Sequence, residues 1–311
     1  MSTTGTHIVL GGNGATGRET LRALRDRGID ALSLGRTPSR DPDTSSVIAD
    51  LMDSHATEEA LHSASVAYLT AGLPYSAGEW ETKWLKMLQN TISACLVNDT
   101  LLVYLDNISA YGRVRGPMTE TSQINPVSRI GQAHATALAT LDEAARSRGL
   151  VHAVGRSADF YGPGASTSVF NTFSLDKVAA GKMPTWFFDA TQPHSLTYTP
   201  DIGDALVILG TDPRARGRAW HLPTASPALT GEEYMSITTA SAGRHHTMSP
   251  LTMRIGGLFN SSARETLKMA YHYTDPYLFD STKFQTTFAM TPTPYKKGIA
   301  ATMAVIAGGH T

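Results

Sequence analysis

Four glycines crowd the stretch Gly11-Gly12-Asn13-Gly14-Ala15-Thr16-Gly17, directly behind the apolar run Ile8-Val9-Leu10. After them comes a helical pattern, with Leu21 and Leu24 apolar and Arg18, Glu19, Arg22, Arg25 and Asp26 polar. Strand, glycine turn and helix in that order make a phosphate cradle. Glycine lets the backbone turn tightly and approach a pyrophosphate, and the helix N-terminus offers N–H groups and the positive end of its dipole. Gly11, Gly14, Ala15, Thr16 and Gly17 are the expected contacts to a dinucleotide. A second apolar run, Ala31–Leu34, ends in Gly35-Arg36-Thr37, with Arg40 close behind. A carboxylate at that point normally holds the ribose hydroxyls of NAD(H). Two guanidinium groups suit the 2′-phosphate of NADP(H) instead, so NADP(H) is preferred and NAD(H) is the alternative. Solvated loop charges are the other reading of Arg36 and Arg40.

Three side chains could move a proton near neutral pH. Tyr111 lies just past the fifth apolar run, on the ligand face expected of a doubly wound sheet. His134 sits in the next helical pattern and has a pKa suited to proton transfer. Asp106 could serve as a base once desolvated. Each has an alternative: a structural or substrate-contact role for Tyr111, a solvated helix position for His134, a turn cap for Asp106. No H-x-x-x-H or Cys/His spacing points to a metal, and no G-x-S-x-G nucleophile elbow occurs.

The elements that must position these groups follow from hydrophobic periodicity. Short continuous apolar runs are expected as strands at Ser46–Ala49, Val66–Thr70, Leu101–Leu105 and Val151–Val154. Helical patterns cover Glu58–His62, Glu81–Val97 and 131–148. Runs alternating with helices predict an α/β fold, a Rossmann-type doubly wound parallel sheet buried on both faces. The chain has 311 residues with 26 basic and 27 acidic side chains, a balance that points away from nucleic acid and acidic membranes. The single cysteine, Cys95, excludes an internal disulfide and fits a reducing, cytoplasmic setting. The first strand starts near residue 6, leaving no room for a signal peptide, and the apolar tract Ile299–Ala307 is too short to span a bilayer.

The G-x-x-G-x-x-G spacing resembles that of the short-chain dehydrogenase/reductase superfamily, in particular its extended branch of nucleotide-sugar epimerases and dehydratases. VYLDNISAYG (103–112) resembles the family's VYTSSxxVYG stretch, and the resemblance puts Asn107 where a serine or threonine binds the reacting oxygen. GRSADFYGPG (155–164) matches the R-x-x-N-x-Y-G-P segment at Arg156, Tyr161, Gly162 and Pro163, with Asp159 in place of asparagine. PHSLTYTPDIGDAL (193–206) keeps Tyr198, Asp201 and Ala205 of R-x-F-x-x-V-x-D-x-x-x-A but lacks its arginine. Asn90 fits the asparagine of the N-V-x-G-T helix, and FDSTKF (279–284) the late D-x-S-K helix start.

The resemblance implies that Asp50 and Leu51 flank the adenine and that Ala71 and Gly72 meet the cofactor. It further implies that Leu73, Arg156, Asp159, Tyr161, His194 and Tyr198 border the substrate. It divides the chain into a Rossmann domain at 1–165, completed by parts of 190–225, and a smaller substrate lobe at 166–311. One element is missing. The superfamily's Tyr-x-x-x-Lys pair belongs in the helix after the fifth strand, yet no tyrosine and no lysine occur between Tyr111 and Tyr161. Positioned acid–base help is worth a factor of roughly 10² to 10⁴. The expected activity is therefore reduction or dehydrogenation of a small polar metabolite by an NADP-binding enzyme whose catalytic set departs from the family pattern, drawn from Asp106, Asn107, Tyr111 and His134. A non-redox lyase, cyclase or isomerase and a cofactor-sensing binding protein are the alternatives. A homodimer through the helices flanking the fifth strand is compatible with the Trp84–Cys95 face, which equally suits the core.

Overall fold

The computed structural model describes residues 5–74, 76–239, 244–249, 252–253 and 267–308. Its elements begin with β1 (Thr6–Leu10), α1 (Ala15–Asp26), β2 (Ala31–Gly35), β3 (Ser46–Ile48), α2 (Ser54–Ala60) and β4 (Ala64–Leu69). They continue with α3 (Leu85–Val97), β5 (Leu101–Asn107), α4 (Arg129–Arg148) and β6 (His152–Ser157). With the strand Ala219–His221 these form a seven-stranded parallel sheet. From one edge the order is Ala219–His221, β6, β5, β4, β1, β2, β3. The order reverses between β1 and β4, the crossover of a doubly wound sheet.

Burial explains the continuous apolar runs. Ile8, Leu10, Leu34, Ala67, Leu69, Leu102 and Tyr104 pack into one core with Leu88, Ile92 and Cys95 of α3 and Ala137, Leu138 and Leu141 of α4. The Trp84–Cys95 face thus belongs to this core. Two helices differ in extent from the periodicity. Asp53 caps α2 by accepting from the backbone N–H groups of His55 and Ala56, so the helix starts at Ser54, and His62 falls beyond its end. The 81–97 pattern is interrupted by a π-helical turn at Trp80–Trp84.

By contacts the chain divides into two units. The first comprises Met1–Ala110, Arg129–Arg156 and Ile202–Trp220, and holds the sheet. The second comprises Tyr111–Ser128, Ser157–Asp201 and His221–Thr311. Residues 111–128 and 157–165, placed with the dinucleotide domain by sequence, group with this second unit. Its core gathers Tyr161, Phe170, Leu175, Trp186, Tyr198, Tyr234 and Tyr295. Its short strands pair Asp159–Tyr161 with Leu196–Tyr198 in parallel, and Thr185–Phe187 with His246–Met248. No helix among the described residues is long and apolar enough to cross a membrane.

Candidate functional site

The glycine turn of the first unit is a close-packed backbone corner. Gly11 has φ +92°, and a Cβ there would lie 2.5 Å from Ala71 Cα. A Cβ on Gly17 would come within 2.3 Å of the Gly11 carbonyl oxygen. Gly14 takes the N-cap position of α1 in an extended conformation, with no side chain capping the helix and no carboxylate in its first turn. The turn thereby leaves the N-terminus of a 12-residue helix bare at a place where the backbone can be approached. Ala15, Thr16 and Gly17 form that first turn. These features fit a pyrophosphate, which needs close backbone approach and unfilled N–H groups.

Asn13, which sequence reasoning passed over, ties the turn to the loop after β2. Its amide nitrogen donates to the Pro38 carbonyl at 2.9 Å, and its Oδ1 accepts from the Arg40 N–H at 2.8 Å. Arg36 and Arg40 are exposed, and neither has a carboxylate partner among the described residues. Asp50 accepts from the Met52 N–H and keeps its carboxylate exposed. Leu51 is buried, and its carbonyl accepts from buried Asn90 at 2.8 Å. Ala71, Gly72 and Leu73 follow the end of β4.

At the C-terminal end of β5 the structure joins four expected residues and one more, Trp80. Asp106 has no exposed side-chain surface. Its Oδ1 accepts from His134 Nδ1 at 2.8 Å, and its Oδ2 from Arg156 Nε at 3.1 Å. Burial pushes the Asp106 carboxyl up, but the hydrogen bond from His134, and then the charge and hydrogen bond of Arg156, hold it below the usual carboxylate range. With Nδ1 donating, His134 Nε2 is the acceptor for the Asn107 amide nitrogen, 3.1 Å away. The Asn107 carbonyl oxygen accepts from the Ser109 N–H at 2.8 Å, which fixes the orientation of the amide. Its second amide hydrogen has no partner among the described residues. Trp80 of the π-helical turn covers the other side of His134, with ring centroids 4.7 Å apart. Arg156, expected at the substrate, is 6% exposed and serves Asp106.

The remaining expected residues lie in the second unit. Tyr111 is 1% exposed, and its hydroxyl donates to His221 Nε2 at 2.8 Å. His221 in turn donates from Nδ1 to the Asp280 carbonyl and stacks on Phe279 at 4.0 Å. Tyr161 is wholly buried between Tyr198 and Phe170, and burial raises its hydroxyl pKa. The Tyr161 hydroxyl has no partner among the described residues, and a Cβ on Gly298 would reach within 2.3 Å of it. Asp159 pairs with His194 at 3.0 Å. Among the described residues no group of three or more His, Cys, Asp or Glu side chains could hold a metal.

A doubly wound sheet with a glycine turn before its first helix and a polar cluster at the end of its fifth strand defines a Rossmann-like α/β protein. The model of the NAD dependent epimerase/dehydratase family matches residues 7–222, and the chain belongs to this family of enzymes. No curated protein matches the chain. Solved structures share the fold across nearly the whole length. The UDP-glucose 4-epimerase of Thermus thermophilus, in complex with NAD, is 18% identical with a TM-score of 0.78, covering 97% of this chain and 99% of that one. The UDP-N-acetylglucosamine 4-epimerase of Bacillus cereus is 16% identical with a TM-score of 0.79, covering 98% and 97%. The double mutant of the dTDP-glucose 4,6-dehydratase DesIV from Streptomyces venezuelae, with NAD and DAU bound, is 17% identical with a TM-score of 0.76, covering 96% of each.

Proposed function

We propose that this chain is an NADP-dependent reductase or dehydrogenase of a small polar metabolite, with a catalytic set that departs from its family's. The observation that carries the reading is the buried chain Arg156–Asp106–His134–Asn107, which ends on a half-buried amide at the C-terminal end of β5. Gly11, Gly14, Ala15, Thr16 and Gly17 would hold the pyrophosphate. Arg36 and Arg40 would take the 2′-phosphate, and Asp50 and Leu51 would flank the adenine, with Ala71 and Gly72 nearby. When bound, the nicotinamide supplies a hydride. Asn107 donates its second amide hydrogen to the reacting oxygen or nitrogen of the substrate. Asp106 fixes the His134 tautomer, so the His134 lone pair holds the amide in place and strengthens its donor. Arg156 keeps Asp106 ionised.

The same network limits the chemistry. His134 Nε2 is filled by Asn107, so the network polarises a double bond but has no open proton donor of its own, and the proton that completes a reduction comes from solvent. A C=N or C=C bond asks less of such a site than a ketone. Leu73, Asp159, Tyr161, His194 and Tyr198 are assigned to the substrate side. Tyr111 is assigned a supporting role on His221.

A second reading, non-redox lyase or isomerase chemistry, is supported by the same filled Nε2. Fluorescence titration with NADPH and NADH tests the first. Arg36→Ala should weaken NADPH by about tenfold, one charge-assisted phosphate contact, and leave NADH nearly unchanged. Equal losses remove the NADP assignment. Turnover that requires NADPH without consuming it favours the second reading.

A further inference from the structure

His194 of the second unit has an acceptor at each ring nitrogen. Nδ1 lies 2.9 Å from the His272 carbonyl oxygen, and Nε2 lies 3.0 Å from Asp159 Oδ2. A carbonyl and a carboxylate can only accept, so each ring nitrogen faces an acceptor, the arrangement that suits an imidazolium. The surroundings suit a cation. The ring is 1% exposed, and stacks between Tyr277 at 4.3 Å and 9° and Tyr273 at 4.7 Å and 18°. Trp186 meets it edge-on at 5.8 Å.

Asp159 is the open end of this arrangement. Its backbone N–H donates to the Tyr277 hydroxyl at 3.2 Å, which pins the strand Asp159–Tyr161 beside the sandwich. Its side chain is 39% exposed while its partner is not. Burial would raise the Asp159 carboxyl, but the hydrogen bond and charge of His194 hold it below the usual range, with a hydrogen bond from Tyr273 adding to this. His272 is itself 7% exposed, and its Nε2 has no partner among the described residues. A buried cation is costly to keep for packing alone. Here it fixes an ionised carboxylate with one face accessible.

We propose that Asp159, positioned by the imidazolium of His194, is a ligand-binding carboxylate that takes a hydrogen-bond-donating group, an ammonium or a hydroxyl, and discriminates against carboxylate and phosphate. The assignment rests on the reading of the second unit as the substrate side. It goes beyond the asparagine expected at this position, because an amide both donates and accepts whereas a carboxylate only accepts.

Saturation-transfer NMR on the full chain tests it with three hexopyranoses: glucosamine, glucose and glucuronate. Transfer to glucosamine or glucose should exceed that to glucuronate by about three- to tenfold, the worth of one such hydrogen bond. Asp159→Asn should bring glucuronate level with the others. A loss for glucosamine alone identifies the ammonium as the recognised group, and a matching loss for glucose identifies the hydroxyl. Equal or stronger transfer to glucuronate in the unaltered chain, an unchanged ratio in Asp159→Asn, or no transfer to any of the three overturns the proposal. Long-range ¹H–¹⁵N spectra, with His194 assigned through His194→Gln, should show both ring nitrogens protonated at neutral pH. A neutral tautomer overturns the positioning role. NADPH titration of the same sample separates the outcomes. A chain that binds NADPH yet fails these tests loses the ligand assignment alone, and one that fails to bind NADPH loses the cofactor reading.

Discussion

Asn107 presents its amide nitrogen 3.1 Å from Nε2 of His134, a residue whose other nitrogen is committed to Asp106. The relation makes the ring a support for the amide. His134→Ala should therefore leave NADPH affinity within about twofold, yet lower the rate on the best acceptor of an aldehyde, enone and imine panel by about 10²-fold, the usual cost of losing one preorganised donor. Asn107→Ala should match it, and the double variant should be no worse than either alone. Additive losses would mean that the two residues act separately.

Asp106 carries stability as well as orientation. It is buried between His134 and Arg156, so Asp106→Asn removes the carboxylate charge that faces both. Urea denaturation should show a loss of about 3–5 kcal/mol. A loss below about 1 kcal/mol would place this pair with the weak surface ion pairs.

The glycine turn makes a sharper prediction. Gly17→Ala would push a methyl to within 2.3 Å of the Gly11 carbonyl oxygen, and the corner must open to admit it. Stability should fall by about 1–3 kcal/mol, and NADPH affinity by at least tenfold, measured by fluorescence titration. Asn13→Ala should act differently. It removes the latch on the Arg36–Arg40 loop without adding bulk to the turn, so NADPH should weaken about fivefold, near 1 kcal/mol, while NADH changes less.

Two histidines predict the pH dependence of stability. Burial lowers His7 to about 4, where it lies 2.9 Å from the Tyr68 hydroxyl. Burial likewise lowers His272 to about 4, against the pull of Asp159. Both folded values fall below the ordinary histidine value, so the folded chain binds fewer protons than the unfolded chain between about pH 6.5 and 4. Stability is therefore full above that window and is lost as pH falls through it, by up to about 3 kcal/mol for each ring. Asp106 and Asp159, with depressed values, keep their contribution until more acid conditions. Urea midpoints measured from pH 7 to 4.5 should decline, and His7→Gln should flatten the decline. A constant midpoint across the window would contradict the assignment.

What could be read in advance was local. Gly11, Gly14 and Gly17 announce the turn because the strand before them and the helix after them lie within one helical repeat of each other. Continuous apolar runs announced a parallel sheet, and the strand end at Asp106-Asn107 was legible from the residues beyond it. The partners were not legible. Asp106 meets His134 after 28 residues and Arg156 after 50, and no periodicity encodes such distances. Trp80 escaped notice because a π-helical turn shifts the 81–97 pattern, setting its ring on His134 instead of in a regular helical stripe. Asn13 escaped because the variable positions of a glycine motif carry no pattern of their own. The carbonyl that faces His194 Nδ1 belongs to a residue 78 positions away.

The partition of the chain has a consequence for how such a protein can be altered. Each unit is assembled from three separated stretches, with junctions after Ala110, Ser128, Arg156, Asp201 and Trp220. Neither unit is a cassette. A single cut anywhere leaves one of them without strands or helices that it needs, and grafting the second unit from a relative requires five joined ends to agree at once. Novelty in this architecture must accumulate residue by residue within an intact chain, and not by exchange of whole modules.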